Sequence, residues 1–219
     1  MRQFLKALKA LFLYFMGKLR GLFTPGYYGI KPGYRHRKKE VYWDDTGFTD
    51  EFQKEVYELA RFHLDKNGYK KVVDIGCGSG YKLMHYFKDC DTVGIEVGKT
   101  VAFLQKQYPG RDWIDAANTN DLPKSADIII CADVIEHLVN PDELLNLINA
   151  MDFRLLFVST PERKILRGWL DYGPPEHVYH IREWNAAEFR RYVGTRFQVI
   201  SHQITDVESA TQLLICRKK

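Results

Sequence analysis

Apolar and polar segments alternate regularly through the chain from residue 50 onward. Short apolar runs predict strands near residues 71–75, 92–96, 112–114, 127–132, 154–159, 197–203 and 211–216. Apolar residues that recur every three or four positions predict helices near residues 50–66, 80–88, 100–108, 141–150 and 185–193. Strands that alternate with helices predict a parallel sheet covered on both faces. No helix separates the last two strands, so we expect them to form an antiparallel hairpin.

The first 49 residues follow a different pattern. Between residues 4 and 23, large apolar residues lie mainly three or four positions apart with basic residues among them, which predicts a basic amphipathic helix. Its longest charge-free apolar run covers residues 10–16 and is too short to cross a bilayer, which takes about 20 residues. Residues 24–49 are rich in proline, glycine and aromatic residues and predict an irregular linker. We therefore divide the chain into an arm and linker, residues 1–49, and an α/β domain, residues 50–219.

Charge is distributed unevenly between these two parts. The first acidic residue is Glu40, and the basic residues before it are Arg2, Lys6, Lys9, Lys18, Arg20, Lys31, Arg35, Arg37, Lys38 and Lys39. A basic amphipathic helix favours an anionic membrane surface as the partner of residues 1–23. The alternatives are that the helix packs on its own domain or mediates dimerisation. Its many large apolar residues argue against a nucleic-acid partner.

The segment from Val72 to Gly80 is the most informative motif of the domain. An apolar run containing Asp74 leads into glycines at positions 76, 78 and 80, and a helical pattern follows. A glycine-rich turn after a strand lets a ligand approach the backbone closely. Glu96 ends the next apolar run, where a carboxylate is placed to hydrogen-bond the hydroxyls of a ribose.

This D-x-G-x-G-x-G spacing resembles motif I of the class I S-adenosylmethionine-dependent methyltransferases. The resemblance implies a Rossmann-like, seven-stranded, mostly parallel sheet that ends in an antiparallel C-terminal hairpin. It also implies S-adenosylmethionine as the cofactor. The implied cofactor-binding residues are Asp74, Gly76, Cys77, Gly78, Gly80, Glu96, Asp115, Ala116, Asn118, Ala132 and Asp133, with Asn118 as an alternative to Asp115 at the adenine.

A second group of polar residues follows the fourth predicted strand. Asp133, Glu136 and His137 are spaced i, i+3 and i+4, which places them on one face if the segment is a helical turn. This string resembles a motif that many small-molecule methyltransferases carry after strand four. Its residues are candidate catalytic groups because carboxylates and imidazoles at a ligand-binding edge are costly to desolvate.

A third motif spans residues 173–189, which resembles the substrate-loop segment of polysaccharide- and lipopolysaccharide-locus methyltransferases. The run from His180 to Trp184 is also similar to metal-dependent small-RNA 2′-O-methyltransferases. That similarity implies a divalent metal ion held by Asp133, Glu136, His137 and His180, although Asp133 stands where those enzymes carry a glutamate. Mn²⁺, Fe²⁺ or Zn²⁺ would suit histidine ligands at least as well as Mg²⁺.

Methyl transfer to a hydroxyl requires removal of a proton. His137 or His180 can act as the base near neutral pH, or a metal on the same side chains can lower the pKa of the hydroxyl. The sequence leaves both mechanisms open.

We therefore predict an O-methyltransferase that acts on a hydroxyl of a glycan or lipid-linked glycan. Four cysteines without a C-x-x-C pair favour a cytoplasmic protein, and the arm favours a peripheral position on the inner face of the membrane. One alternative acceptor is a quinone or small phenol, and another is an RNA 2′-hydroxyl. A further alternative is a non-catalytic S-adenosylmethionine-binding protein whose arm is an interaction module.

Overall fold

A computed structural model describes residues 2–219, apart from the side chains of residues 2, 3 and 119, so the side chain of Arg2 in the basic arm lies outside the described part. The centre is a seven-stranded sheet of order β3-β2-β1-β4-β5-β7-β6, in which β7 runs antiparallel to β5 and β6. The strands are β1 (Lys71–Ile75), β2 (Asp91–Glu96), β3 (Asp112–Asp115), β4 (Ser125–Cys131), β5 (Asp152–Pro161), β6 (Phe197–Asp206) and β7 (Thr211–Lys218). The predicted fold class and terminal hairpin are confirmed.

Within residues 2–219, seven α-helices accompany the sheet. They are α1 (Arg2–Gly21), α2 (Lys54–Asn67), α3 (Tyr81–Phe87), α4 (Gly98–Gln107), α5 (Pro141–Ala150), α6 (Arg163–Arg167) and α7 (Ala186–Val193). Helices α2, α3 and α4 cover one face of the sheet, and α5 and α7 cover the other. The sequence explains several of their ends: Pro141 opens α5, and Asn185 with Glu188 forms a capping box at α7.

Two helices differ from the prediction, one in its first residue and one in not being predicted at all. Helix α2 begins at Lys54 rather than near residue 50, after Gln53 in a left-handed conformation. The five-residue helix α6 has no counterpart in the prediction because so short a segment shows no measurable periodicity. Glu162 stabilises its start, since its carboxylate accepts a hydrogen bond from the Ile165 amide at 2.8 Å.

The linker and the arm both pack on the domain. Ile30 is buried in the core, and the Trp184 indole donates a hydrogen bond to the Tyr28 carbonyl at 2.7 Å. Helix α1 docks on the domain at Gly17. The ring of Tyr172 packs there in the space that a Cβ would occupy, so only glycine allows this contact. Its large apolar residues point outward and are exposed. Within residues 2–219, no helix is both long and apolar enough to span a membrane.

Candidate active site

A cavity of about 1040 Å³ opens at the carboxyl ends of the parallel strands, where open α/β sheets bind ligands. The loops after β1, β2, β4 and β5 form its walls, and linker residues 40–53 form another side. Carboxylates outnumber basic groups along these walls, so the cavity favours a cationic ligand. The acidic residues there are Glu40, Asp45, Glu96, Asp133, Glu136, Glu176, Glu183 and Glu208.

The glycine turn after β1 provides the close backbone approach that the sequence predicts. Gly76, Gly78 and Gly80 all have positive φ angles, of 73°, 54° and 71°, which side-chain-bearing residues rarely adopt. The Gly78 amide donates to Oε2 of Glu96 at 3.1 Å, while Oε1 accepts from the Val97 amide at 2.8 Å. Burial raises the pKa of Glu96 despite these two hydrogen bonds. This pairing joins the ends of β1 and β2 at the cavity wall.

Asp74 lies directly beneath the glycine turn and is fully buried. Its Oδ2 accepts a hydrogen bond from the Tyr57 hydroxyl at 2.9 Å, whereas Oδ1 has no partner among the described residues. Burial raises the pKa of Asp74 to about 7. Neither Asp74 nor Gly80 lines the cavity, so the predicted contact of Asp74 with the methionine end of S-adenosylmethionine stays a prediction.

The other predicted cofactor residues divide into two groups. Cys77, Ala132 and Asp133 line the cavity. Asp115, Ala116 and Asn118 do not line it, although the Asp115 carboxylate lies beside Gly98, which does. The Asp115 carboxylate also accepts a hydrogen bond from the Ala117 amide at 3.0 Å. Their assignment to the adenine therefore stays a prediction.

Three of the four predicted metal ligands come together at the opposite end of the cavity. One ligand atom each from Glu136, His137 and His180 lies within 4.8 Å of the others. Glu136 is fully buried, its Oε2 accepts from the Thr160 hydroxyl at 3.0 Å, and its Oε1 has no partner in the described structure. Burial, and secondarily the charge of Asp133, raises the pKa of Glu136 well above its ordinary value. An unpartnered buried carboxylate oxygen beside two imidazoles suits either a cation or a hydroxyl donor.

Both histidines of this cluster are oriented through their Nδ1 atoms. Nδ1 of His137 lies 3.1 Å from the Tyr179 carbonyl oxygen, and Nδ1 of His180 lies 2.8 Å from Oε1 of Glu183. Because both partners accept hydrogen bonds, each histidine donates from Nδ1, and Nε2 takes no part in these two contacts. Burial, and then the neighbouring His180, lowers the pKa of His137 to about 4. His137 is therefore neutral at pH 7.

Asp133 is separate from this cluster, and the predicted shared helical face is wrong. Residues 135–137 form a single 3₁₀ turn, and Asp133 precedes it with a φ of 53°. Its Oδ1 accepts from the Ser159 hydroxyl at 2.6 Å and its Oδ2 from the Gln53 amide group at 3.2 Å. Both carboxylate oxygens are thus engaged by protein groups, and Asp133 is not a member of the candidate cation group.

The sequence prediction missed an aromatic wall next to the cluster. Trp43 stacks on His177, with ring centroids 4.7 Å apart and planes 17° from parallel, and also contacts Tyr179. The carboxylate of Asp45 stands where a Cβ at Gly78 would be, so the linker reaches the glycine turn. The high aromatic content of residues 24–49 is the signal that could have indicated this wall.

Comparisons with known proteins agree with this architecture. A family model described as a methyltransferase domain matches residues 49–203. The mitochondrial ubiquinone biosynthesis O-methyltransferase of Saccharomyces cerevisiae is 24% identical over 163 residues, which are 67% of this chain and 51% of that protein. Its counterpart from Schizosaccharomyces pombe is 29% identical over 136 residues, 57% of this chain and 50% of that protein. The chain thus spans about half the length of these curated relatives.

Solved structures share the fold. The magnesium protoporphyrin IX methyltransferase of Synechocystis PCC 6803 with bound S-adenosylmethionine superposes with a TM-score of 0.56 at 16% identity, covering 83% of this chain and 87% of that one. The PH0226 protein of Pyrococcus horikoshii OT3 gives a TM-score of 0.57 at 14% identity, covering 88% and 98%. The family model matches most of the chain and shows that it belongs to the methyltransferase-domain family, as an S-adenosylmethionine-dependent methyltransferase whose class I fold these structures share.

Proposed function

We propose that this methyltransferase acts on oxygen, with the Glu136–His137–His180 cluster as the group that receives the acceptor hydroxyl. S-adenosylmethionine supplies an electrophilic methyl group on its sulfonium. The acceptor oxygen must lose its proton as it is methylated, and we assign His180 as the group that accepts it, because the low pKa of His137 makes that residue the weaker base. The unpartnered Oε1 of Glu136 can hold the hydroxyl in place. This cluster is the observation that carries the proposal.

The same three side chains fit a divalent cation, and we include a cation in the proposal. Two imidazoles and one carboxylate are a common ligand set for Mn²⁺, Fe²⁺ and Zn²⁺. The carboxylate of Glu183 behind His180 and the carbonyl of Tyr179 behind His137 are the kind of outer partners that metal-binding histidines have. A cation held there would lower the pKa of an acceptor hydroxyl.

For the acceptor we propose a glycan or a lipid-linked glycan. The cavity walls carry many carboxylates, each of which can accept several hydrogen bonds, and a sugar offers many hydroxyl donors. Trp43 lines the cavity with one ring face covered by His177, and its remaining apolar surface can contact a sugar ring. The resemblance of residues 173–189 to polysaccharide-locus methyltransferases supports the same acceptor and stays a prediction.

A quinone precursor or another small phenol is the second candidate. The relatives from both yeasts are named as ubiquinone biosynthesis O-methyltransferases, and the aromatic wall formed by Trp43 and Tyr179 also suits a phenol ring. Family membership argues against the alternative of a non-catalytic cofactor-binding protein. An RNA 2′-hydroxyl acceptor has no comparable support from the arm, which is largely apolar.

We further propose that helix α1 holds the enzyme against an anionic membrane surface on the cytoplasmic side. Its docking to Tyr172 uses Gly17 and leaves a row of large apolar side chains exposed: Phe4, Leu5, Leu8, Leu11, Phe12, Phe15 and Leu19. Lys6, Lys9 and Lys18 are exposed on the same helix and can contact anionic headgroups. A lipid-linked acceptor would then be presented at the surface to which the enzyme is bound.

One assay tests the acceptor class. The full-length protein is incubated with S-adenosylmethionine that carries a trideuterated methyl group, in the presence of lipid-linked oligosaccharides or of prenylated catechols. The proposal predicts a mass increase that fragmentation assigns to a sugar oxygen. Labelling of the catechols alone would support the phenol candidate instead. Transfer only to nitrogen or carbon would contradict the O-methyltransferase proposal.

A further inference from the structure

A second cavity of about 500 Å³ lies beside the active-site cavity, and its lining is strongly basic. We define the basic groove as Arg35, His36, Arg37, Lys38 and Lys39, closed by Val41, Pro174 and Val178. No acidic residue is among these lining residues. Four positively charged side chains around one concave surface, Arg35, Arg37, Lys38 and Lys39, concentrate positive potential, which attracts anions.

The two cavities share a wall. Val41 lines both of them, and the linker continues from the basic groove through residues 42–45 into the active site. The facing loop, residues 174–180, also lines both cavities. Pro174 and Val178 line the basic groove, and Glu176, His177 and His180 line the active-site cavity. A ligand can therefore extend from one cavity into the other across Val41.

The loop holds the two arginines in place and leaves donors free. Arg35 donates to the Gly173 carbonyl at 3.3 Å and Arg37 to the Pro175 carbonyl at 2.9 Å. Nε of Arg37 is buried and has no partner among the described residues. A guanidinium carries several N–H groups in a planar fork, so both arginines retain donors that suit phosphate oxygens.

The charges around His36 also indicate a positive potential in the basic groove. Burial lowers the pKa of His36, and the positive charges of Arg182 and Lys38 lower it further. Lys38 and Lys39 are exposed and make no hydrogen bond or ion pair with any residue that the structure describes. Their charges are thus not neutralised within the protein.

We infer that the basic groove binds a phosphate or diphosphate group of the methyl acceptor. This inference rests on the proposed function, because it identifies a second part of the acceptor. It separates the two candidate acceptors: a glycan carried on a phosphate or diphosphate has the required group, whereas a neutral prenylated phenol does not.

Titration of the full-length protein with inorganic pyrophosphate tests the inference without an acceptor. We expect the wild type to bind pyrophosphate with a Kd below about 1 mM, and Lys38→Gln/Lys39→Gln to weaken binding about tenfold. The matched control is Lys106→Gln/Lys124→Gln, which removes the same charge from exposed positions elsewhere and should bind like the wild type. A salt titration should weaken wild-type binding.

A second measurement separates an acceptor phosphate from a lipid headgroup. Binding of both double variants to phosphatidylglycerol vesicles is measured alongside pyrophosphate binding. If Lys38→Gln/Lys39→Gln reduces vesicle binding and leaves pyrophosphate affinity unchanged, the groove is a membrane contact and the inference is overturned. Absence of pyrophosphate binding to the wild type would also overturn it. Neither result would affect cofactor binding or methyl transfer, so failure here is distinguishable from failure of the proposed function.

Discussion

Nδ1 of His180 lies 2.8 Å from Oε1 of Glu183, and this contact sets the chemistry of the cluster. The carboxylate orients the imidazole of His180, which offers a ligand atom within 4.8 Å of those of Glu136 and His137. Glu183 itself is buried, lines the cavity, and is not a member of the group of candidate cation ligands. It is therefore a positioning residue for His180.

This geometry predicts a divalent cation requirement. We expect Mn²⁺ to bind the wild-type protein in a calorimetric titration, and His180→Ala to reduce the affinity at least tenfold. Dialysis against a chelator should abolish methyl transfer and Mn²⁺ should restore it. Full turnover in chelator, with no binding of Mn²⁺, Mg²⁺ or Zn²⁺, would exclude the cation and leave histidine as the base.

Cofactor binding should depend on the link between Glu96 and the glycine turn. Glu96→Ala removes the acceptor of the Gly78 amide and the predicted ribose partner, which should cost about 1.5–3 kcal/mol of binding free energy. Gly78→Val should abolish S-adenosylmethionine binding. Valine strains a backbone with a φ of 54°, and the Asp45 carboxylate occupies the space that its Cβ would need. Calorimetric titration with S-adenosylmethionine measures both, with the exposed Glu58→Ala as control. Equal affinities in all four proteins would refute the assignment.

The buried Asp74 predicts an unusual pH dependence of stability. Burial raises its pKa to about 7 in the folded protein, so the folded state holds a proton between about pH 4 and pH 7 that the unfolded state has released. The free energy of unfolding should therefore fall as the pH rises through this range.

Replacing Asp74 with asparagine removes the titrating carboxyl and with it the loss of stability at higher pH. Relative to the wild type, Asp74→Asn should gain on the order of 4 kcal/mol of stability between pH 4 and pH 8, measured by urea unfolding. The surface variant Asp91→Asn is the control and should not reproduce the trend. A stability difference between Asp74→Asn and wild type that is the same at both pH values would show that burial does not perturb this carboxylate.

The arm should bind anionic vesicles through its exposed apolar row. Phe12→Gln/Phe15→Gln should release the protein from phosphatidylglycerol vesicles in a flotation assay, whereas Phe62→Gln/Val207→Gln, which removes exposed apolar residues elsewhere, should not. Binding should weaken with salt, since each basic residue near the surface contributes about 1 kcal/mol. If the wild-type protein does not bind anionic vesicles at low salt, helix α1 has another partner.

Local spacing was sufficient to predict the strands, the glycine turn and Glu96. The pairing of Gly78 with Glu96 follows from two adjacent parallel strands, whose ends must meet at the same edge of the sheet. The approach of His180 to His137 depends instead on a long loop. That loop is held by the Ile181 amide on the Glu136 carbonyl at 2.8 Å and by Arg182 on the carbonyls of Leu138 and Val139. Hydrophobic periodicity cannot predict such contacts. His180 was predicted only from the resemblance of the His180–Trp184 run to a known motif.

The position of Asp133 could not be inferred for a different reason. Spacing of i, i+3 and i+4 places side chains together only in an α-helix, and here Asp133 is itself left-handed and precedes the 3₁₀ turn that contains Glu136. The linker residues Trp43 and Asp45 were missed because irregular segments carry no pattern that specifies their contacts. Their role depends on tertiary packing against His177 and Gly78.

The central claim is that the Glu136–His137–His180 cluster acts on the acceptor and leaves the cofactor site intact. The most direct test measures S-adenosylmethionine affinity and methyl transfer together in Glu136→Gln and His180→Gln. We predict cofactor affinity within about twofold of wild type and methyl transfer reduced at least about 100-fold, the range expected for loss of acid–base or metal assistance. Wild-type turnover in both variants, or loss of cofactor binding that matches the loss of turnover, would contradict the claim.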